Sequence, residues 1–233
     1  MPDPVCLAIE TTGRTAAIAL GVGCEDVTVR EVARSRRHNL ELLPAIDTLF
    51  RERGVTRDEL RGGVVFVSLG PGSFTGLRVG VAASQMLGVT LGCDLVGVAT
   101  IDALARNVPE AYRDRPVAVC LAAKRGRAYA AIYRRGQAAA PAASVTLDAL
   151  LTSDPRPAAL LGDAVSDQLA KHAADNAAGV EVLDESLATV RAEAVFELGR
   201  RAWRRGDTTP PARLLPIYGR EPEAVRLWEA RGT

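Results

Sequence analysis

Histidine is nearly absent from this chain: His38 and His172 are its only two, and they lie far apart. A metal centre built on paired histidines is therefore not expected. The four cysteines, Cys6, Cys24, Cys93 and Cys120, are equally scattered and form no Cys-x-x-Cys pair. Cys6, Cys93 and Cys120 stand in or beside apolar runs, where a free cysteine behaves as a small hydrophobe. That usage suits a reducing compartment. Lysine is scarce, with Lys124 and Lys171 alone, while arginine and alanine are abundant. We read this as compositional bias rather than as a site. Acids and bases nearly cancel to a net charge of +1, which gives no strong pull toward nucleic acid. The start, Met1-Pro2-Asp3-Pro4, lacks a basic region followed by an apolar core, so no signal peptide is expected. No apolar run approaches the length of a membrane span. The expected location is cytoplasmic.

What the chain does have is an ordinary globular composition, 48% hydrophobic and 24% charged over 233 residues. Its most informative stretch runs from Ser68 to Gly80. The apolar run Gly63-Val64-Val65-Phe66-Val67 before it reads as a buried strand, and Thr75 to Leu91 after it reads as a helix. Gly70-Pro71-Gly72 is the turn between them, with Ser73 and Thr75 as N-cap types. A helix start of this kind has free N–H groups for an anion. The phosphate-loop pattern, however, ends in Gly-Lys-Ser/Thr, and here the end is Gly76-Leu77-Arg78. We favour a tight strand-to-helix connection over a phosphate cradle. On the helix, Gly76, Gly80, Ser84 and Gly88 recur every four residues as a ridge of small side chains. Leu77, Val81, Met86, Leu87 and Val89 cover much of the rest. A helix so apolar is buried on more than one side, against its own sheet and against a second cover.

In chain order, strands are expected at Val5–Ile9, Thr15–Leu20 and Val27–Arg34. A helix follows from Leu40 to Arg53, with Leu43, Ile46 and Phe50 on one face. Pro44 points to a late or kinked helix start. After the strand at Val64 and the glycine-ridge helix come a strand at Asp94–Val98 and a helix from Thr100, capped by Thr100, to Asn107. The polar stretch Val108–Arg115 marks a boundary, dividing the chain into 1–108 and 109–233. Strands at Val117–Leu121, Ala128–Arg134 and Ala158–Leu161 are expected beyond it. So are helices at Leu147–Leu151, Val165–Ala174 and Thr189–Arg205. The last has Val195, Leu198 and Ala202 on one face and Arg200, Arg201, Arg204 and Arg205 near the other. Without aromatic interleaving, those arginines read as a solvated face.

A weak internal repeat supports the division. Val5-Cys6-Leu7-Ala8 recurs as Val119-Cys120-Leu121-Ala122, and Ala16-Ala17-Ile18 as Ala130-Ala131-Ile132. Two halves, each opening on a β-hairpin, resemble the actin and sugar-kinase (ASKHA) superfamily. The resemblance becomes specific at Gly70-Pro71-Gly72-Ser73-Phe74-Thr75-Gly76-Leu77-Arg78-Val79-Gly80, which resembles the signature of the TsaB (YeaZ) family. Glu41-Leu42-Leu43-Pro44 and Pro216-Ile217-Tyr218-Gly219-Arg220 match the family pattern at other points, with Gly219 in place of a leucine.

The resemblance implies an α/β fold of two actin-like halves, the second smaller and degenerate. It also implies a non-catalytic subunit of the machinery that makes threonylcarbamoyladenosine in tRNA. The implied partners are a TsaD-like transferase, a TsaE-like ATPase and, through the complex, tRNA; alone, the chain would pair with itself. Glu10, Thr11 and Thr12 stand near the Asp-Thr-Ser of relatives and are the candidate residual nucleotide contacts. The alternative for them is a plain hairpin turn with one exposed carboxylate. Relatives usually carry Asp-Ala-Arg at the second hairpin with a Glu further on. Here Ala122 and Arg127 take those places, which weighs against placing Mg²⁺ and an attacking water. No catalytic residue, no metal and no cofactor is assigned, with nucleotide expected only at a partner interface. The candidate interface is Leu40, Leu43, Ile46, Phe50, Gly76, Leu77, Arg78, Gly80, Val81, Ser84, Gln85 and Gly88. Arg78 is expected to brace the turn or meet the partner. The competing reading is a stand-alone nucleotide-dependent phosphotransferase or ATPase of the same fold.

Overall fold

The computed structural model describes residues 4–13, 15–23, 25–32, 38–123, 127–165 and 179–219. β1 (Val5–Glu10), β2 (Ala16–Val22) and β3 (Glu25–Val32) form an antiparallel meander. α1 (His38–Glu52) leads to β4 (Val64–Gly70), which runs parallel to β1. α2 (Phe74–Leu91) then crosses to β5 (Asp94–Ala99), parallel to β4. The first sheet has the order β3-β2-β1-β4-β5.

After α3 (Thr100–Ala105) the scheme repeats. β6 (Val117–Ala122) and β7 (Arg127–Arg134) are antiparallel, and β8 (Gln137–Ala138) and β9 (Ala143–Thr146) extend from β7. α4 (Leu147–Leu151) precedes β10 (Ala159–Leu161) and β11 (Glu181–Val182), both parallel. The second sheet has the order β11-β10-β6-β7-β8. Each half is thus a hairpin flanked by two parallel strands, the duplicated ASKHA arrangement expected from the sequence. β10 and β11, of three and two residues, are stunted beside β4 and β5, of seven and six. α5 (Ala192–Arg204) is followed by a short 3-10 turn at Pro211–Arg213.

The sequence sets the layering. β1 is buried on both faces, as a strand covered on two sides must be. Val5, Leu7 and Ile9 pack toward α1 and α2, while Cys6 and Ala8 face an inner layer. That layer holds Ile101 and Leu104 of α3, Val195 and Phe196 of α5, and Val119, Leu121 and Tyr133 of the second sheet. Leu150 and Leu151 of α4 cover the far face of the second sheet with Ala118 and Cys120. The predicted boundary at 108 falls between α3 and β6, yet α5 returns to pack on β1, β4 and β5.

Several local expectations change. α1 begins at His38, so Pro44 lies inside the helix rather than in its first turn. α3 has Ala99 as N-cap without a side-chain bond, because the Thr100 hydroxyl is engaged elsewhere. α5 starts at Ala192 rather than Thr189, because Asn107 Nδ2 donates to the Leu187 and Thr189 carbonyls at 2.8 and 2.7 Å. The helix expected at Val165–Ala174 lies almost wholly outside the described residues, as do His172, Lys171, Lys124 and Arg220. Cys6 is disulfide-bonded, against its reading as a free thiol. Cys93 and Cys120 are free and buried, and burial pushes their thiols up to about 11 and about 12.

The inner layer depends on one close approach. The rings of Phe66 and Phe196 meet edge to face with centroids 5.4 Å apart, and a Cβ at Gly199 would lie 2.4 Å from Phe66 Cγ. Gly199→Ala is therefore expected to destabilise the fold by about 1–3 kcal/mol despite alanine's better helix propensity. Urea denaturation measures this; an unchanged or raised midpoint contradicts the packing.

Candidate functional site

The strand-to-helix turn Gly70-Pro71-Gly72, with a cis Gly70–Pro71 bond, meets the tip of the first hairpin. Gly70 has φ 107°, a conformation open to glycine. Ser73 N donates to the Thr12 carbonyl at 2.8 Å, and the Ser73 side chain caps α2 by accepting from Gly76 N at 3.3 Å. Thr11 Oγ1 donates to the Gly76 carbonyl at 2.7 Å. A Cβ at Gly76 would lie 1.8 Å from the Thr11 carbonyl oxygen, and one at Gly80 2.4 Å from Thr11 Oγ1. At Gly88 it would press on Leu95 and Pro211. Ser84 is buried and donates to the Gly80 carbonyl at 2.8 Å. The ridge of small residues thus faces the chain itself, an orientation that the sequence left open.

Glu10, at the end of β1, is 0% exposed, so neither a cleft-facing acid nor an exposed turn carboxylate describes it. Its Oε1 accepts from Thr12 N at 2.5 Å, Thr12 Oγ1 at 2.5 Å and Gly13 N at 3.1 Å. Thr12 Oγ1 accepts in turn from Thr100 Oγ1 at 3.3 Å, and Thr100 Oγ1 accepts from Gly70 N at 3.0 Å. One buried relay therefore runs from the carboxylate to the proline turn. Glu10 Oε2 has no hydrogen-bond partner. Burial pushes the Glu10 carboxyl above its ordinary range, although the hydrogen bonds from Thr12 and Gly13 favour the charged form.

In front of this relay a cleft of about 560 Å³ separates the two halves. Thr12, Gly72 and Ser73 line it from the first half, and Leu121, Ala122 and Asp163 from the second. Glu185 and residues 188–190 form a side wall. Asn107 fixes that wall through Leu187 and Thr189, and its Oδ1 accepts from Arg191 Nε at 2.9 Å. Asp163 is the acid that sequence reasoning missed. It follows Gly162 at the end of β10, as Pro71 follows Gly70 at the end of β4, and both glycines have positive φ. That repeated position is the signal that would have found it. Asp163 Oδ1 accepts from Ala122 N at 2.8 Å. Glu10 is sealed in the relay, and the carboxylates that line the cleft are Asp163 and Glu185.

The other predicted residues separate into buried and exposed groups. Ile46, Phe50, Leu77 and Val81 are buried in the first half's own core, and Leu40 lies in α1. Gln85 Nε2 donates to the Pro211 and Leu214 carbonyls, both at 3.0 Å. Leu43 and Arg78 are exposed. Arg78 Nε donates to Tyr218 Oη at 3.4 Å, and its guanidinium carbon lies 3.9 Å from the Phe74 ring centroid. It braces the C-terminal segment against the start of α2.

The raised folded-state value of Glu10 gives a pH prediction. Stability from this group is fully present below the unfolded carboxylate pKa and is lost as pH rises through the folded one. Glu10→Gln, which stays neutral, should gain thermal stability relative to wild type as pH rises above the ordinary carboxylate range toward the raised folded-state value. A difference that is flat with pH, or of opposite sign, contradicts the burial account.

The model of the family described as "TsaD: tRNA N6-adenosine threonylcarbamoyltransferase" matches residues 31–198, more than half of the chain. The "tRNA threonylcarbamoyladenosine biosynthesis protein TsaB" of Bacillus subtilis is 29% identical over 130 residues, 55% of this chain and 54% of that protein. The TsaB of Buchnera aphidicola from Schizaphis graminum is 30% identical over 100 residues, 43% of this chain and 47% of that one. The chain spans about half the length of the curated relatives it matches. The solved structure of YeaZ from Pseudomonas aeruginosa has the same fold, with a TM-score of 0.73 at 24% identity over 92% of this chain and 99% of that one. With the glycine-ridge signature packed as described, these matches show that the chain belongs to the TsaD family, in its TsaB (YeaZ) branch.

Proposed function

We propose that this chain is a non-catalytic, cytoplasmic subunit of the machinery that makes threonylcarbamoyladenosine in tRNA. It binds and stabilises a TsaD-like transferase, works in a complex driven by a TsaE-like ATPase, and meets tRNA only through that complex. The observation that carries this reading is the burial of Glu10. The first-hairpin carboxylate is used inside the protein to hold the turn, and Ala122 stands where the second hairpin would supply an acid. Chemistry that needs one acid from each hairpin around a metal then lacks both hairpin acids, and Asp163 and Glu185 are the carboxylates that line the cleft.

The partner-facing surface in this reading is the outer side of α1 and α2. The small-residue ridge packs within the chain, so this reading gives the interface to residues left outside: Leu43, Met86 and Val89 are exposed, Val89 to 72%. Exposed apolar side chains on two neighbouring helices suit a helix-on-helix contact. A transferase of the same fold would present a matching pair, and alone the chain would pair with itself around a two-fold axis. The competing reading, an independent phosphotransferase, rests on Asp163 in the cleft.

Val89→Asp leaves the core untouched and is expected to weaken co-purification with a TsaD-like protein at least tenfold, with an unchanged melting temperature. Loss of about 1.4 kcal/mol, within the range of one interface side chain, suffices for that factor. A folded Val89→Asp chain that binds normally places the interface elsewhere. The isolated wild type is expected to show no ATP turnover. Mg²⁺-dependent hydrolysis that is lost in Asp163→Asn favours the competing reading.

A further inference from the structure

Beside the cleft lies a second cavity of about 340 Å³, which shares Pro71, Gly72 and Ala122 with it. Its walls come from three parts of the chain. Phe74 and Leu77 stand at the start of α2, Tyr129 on β7, and Ile217 to Gly219 at the end of the described residues. The aromatic rings are incompletely covered, with Phe74 47% and Tyr218 40% exposed. These two rings lie 5.5 Å apart at a tilt of 37°. Arg78 sits over Phe74 and is held to Tyr218 by its Nε. Arg30, Arg53, Arg57 and Arg106 each pair with a carboxylate. Among the described residues Arg78 pairs with none.

A guanidinium stacked on a ring keeps its outer N–H groups in one fixed plane, the geometry that a carboxylate accepts from two N–H groups at once. An aromatic-walled cavity next to it takes a large apolar side chain. The geometry points to a docking slot for a segment of a partner protein that carries a Glu or Asp beside a large apolar residue. The carboxylate binds Arg78, and the apolar side chain enters between Phe74, Tyr129 and Tyr218. Charge complementarity selects this occupant over a basic segment, which would meet the bare guanidinium. The slot also reaches the proline turn, so an occupant touches the same Pro71 and Gly72 that line the cleft. None of this depends on the transferase reading, whose test acts at Val89.

The test uses two acetylated, amidated peptides, Glu-Leu-Phe and Lys-Leu-Phe, titrated into the isotope-labelled full chain while amide chemical shifts are followed. The Glu peptide is expected to shift the amides of Phe74, Arg78, Tyr129 and Tyr218 and to bind about fivefold more tightly than the Lys peptide, the upper range for an exposed ion pair. Arg78→Gln, at an exposed position, should fold normally and abolish the difference between the peptides. Absent shifts at these amides, or equal affinities in the wild type, overturn the proposal. Binding that appears only after removal of residues 220–233 also overturns it, because the chain's own C-terminal segment would then be the occupant.

Discussion

The contact on which the rest of this structure depends is the close approach of the first hairpin to α2. The Thr11 carbonyl occupies the space that a side chain at Gly76 would fill, and Thr11 Oγ1 occupies that of Gly80. Only residues without a Cβ permit this approach. Once it is made, the hairpin tip, the proline turn and the start of α2 become one unit, joined by Ser73 N to Thr12 and by the relay from Glu10 to Gly70. The cleft, the second cavity and the outer helix face are all arranged around that unit.

The same contact fixes the place of Glu10. A carboxylate that accepts three hydrogen bonds from its own turn, with its other oxygen sealed from solvent, is placed to hold a backbone rather than a metal. Burying it costs free energy wherever it is ionised. A turn so tightly built serves as a rigid support for surfaces around it. Those surfaces are apolar and exposed on the outer helices, and cationic and aromatic around Arg78.

Much of the fold was legible because it rests on local rules. The runs at Val5, Val64, Asp94 and Val117 became strands, and the apolar helix from Thr75 was placed within one residue of its observed start. The glycine ridge was visible as a pattern, but its direction was not. A stripe of small residues suits a neighbouring helix as well as a hairpin, and only the fold brings Thr11 against Gly76. Thr100 read as a helix cap because Thr is a cap type, yet its hydroxyl was drawn into a bond with Thr12, distant in sequence. Asp163 carries no hairpin signature in the sequence, because the second half has its cleft acid after β10 and not at the hairpin tip. Asn107, which fixes the cleft wall, carries no sequence pattern, since its role comes from three partners on a later segment.

In the proposed function this chain acts by being held against another protein and not by chemistry in its own cleft. Threonylcarbamoyladenosine formation in a reconstituted system, with a TsaD-like transferase, a TsaE-like ATPase and a chain carrying Glu10→Gln and Asp163→Asn together, tests it most directly. The account predicts that modified nucleoside accumulates as fast as with the wild-type chain. A fall to the level seen with the chain omitted, while the variant still folds and still binds the transferase, would contradict it.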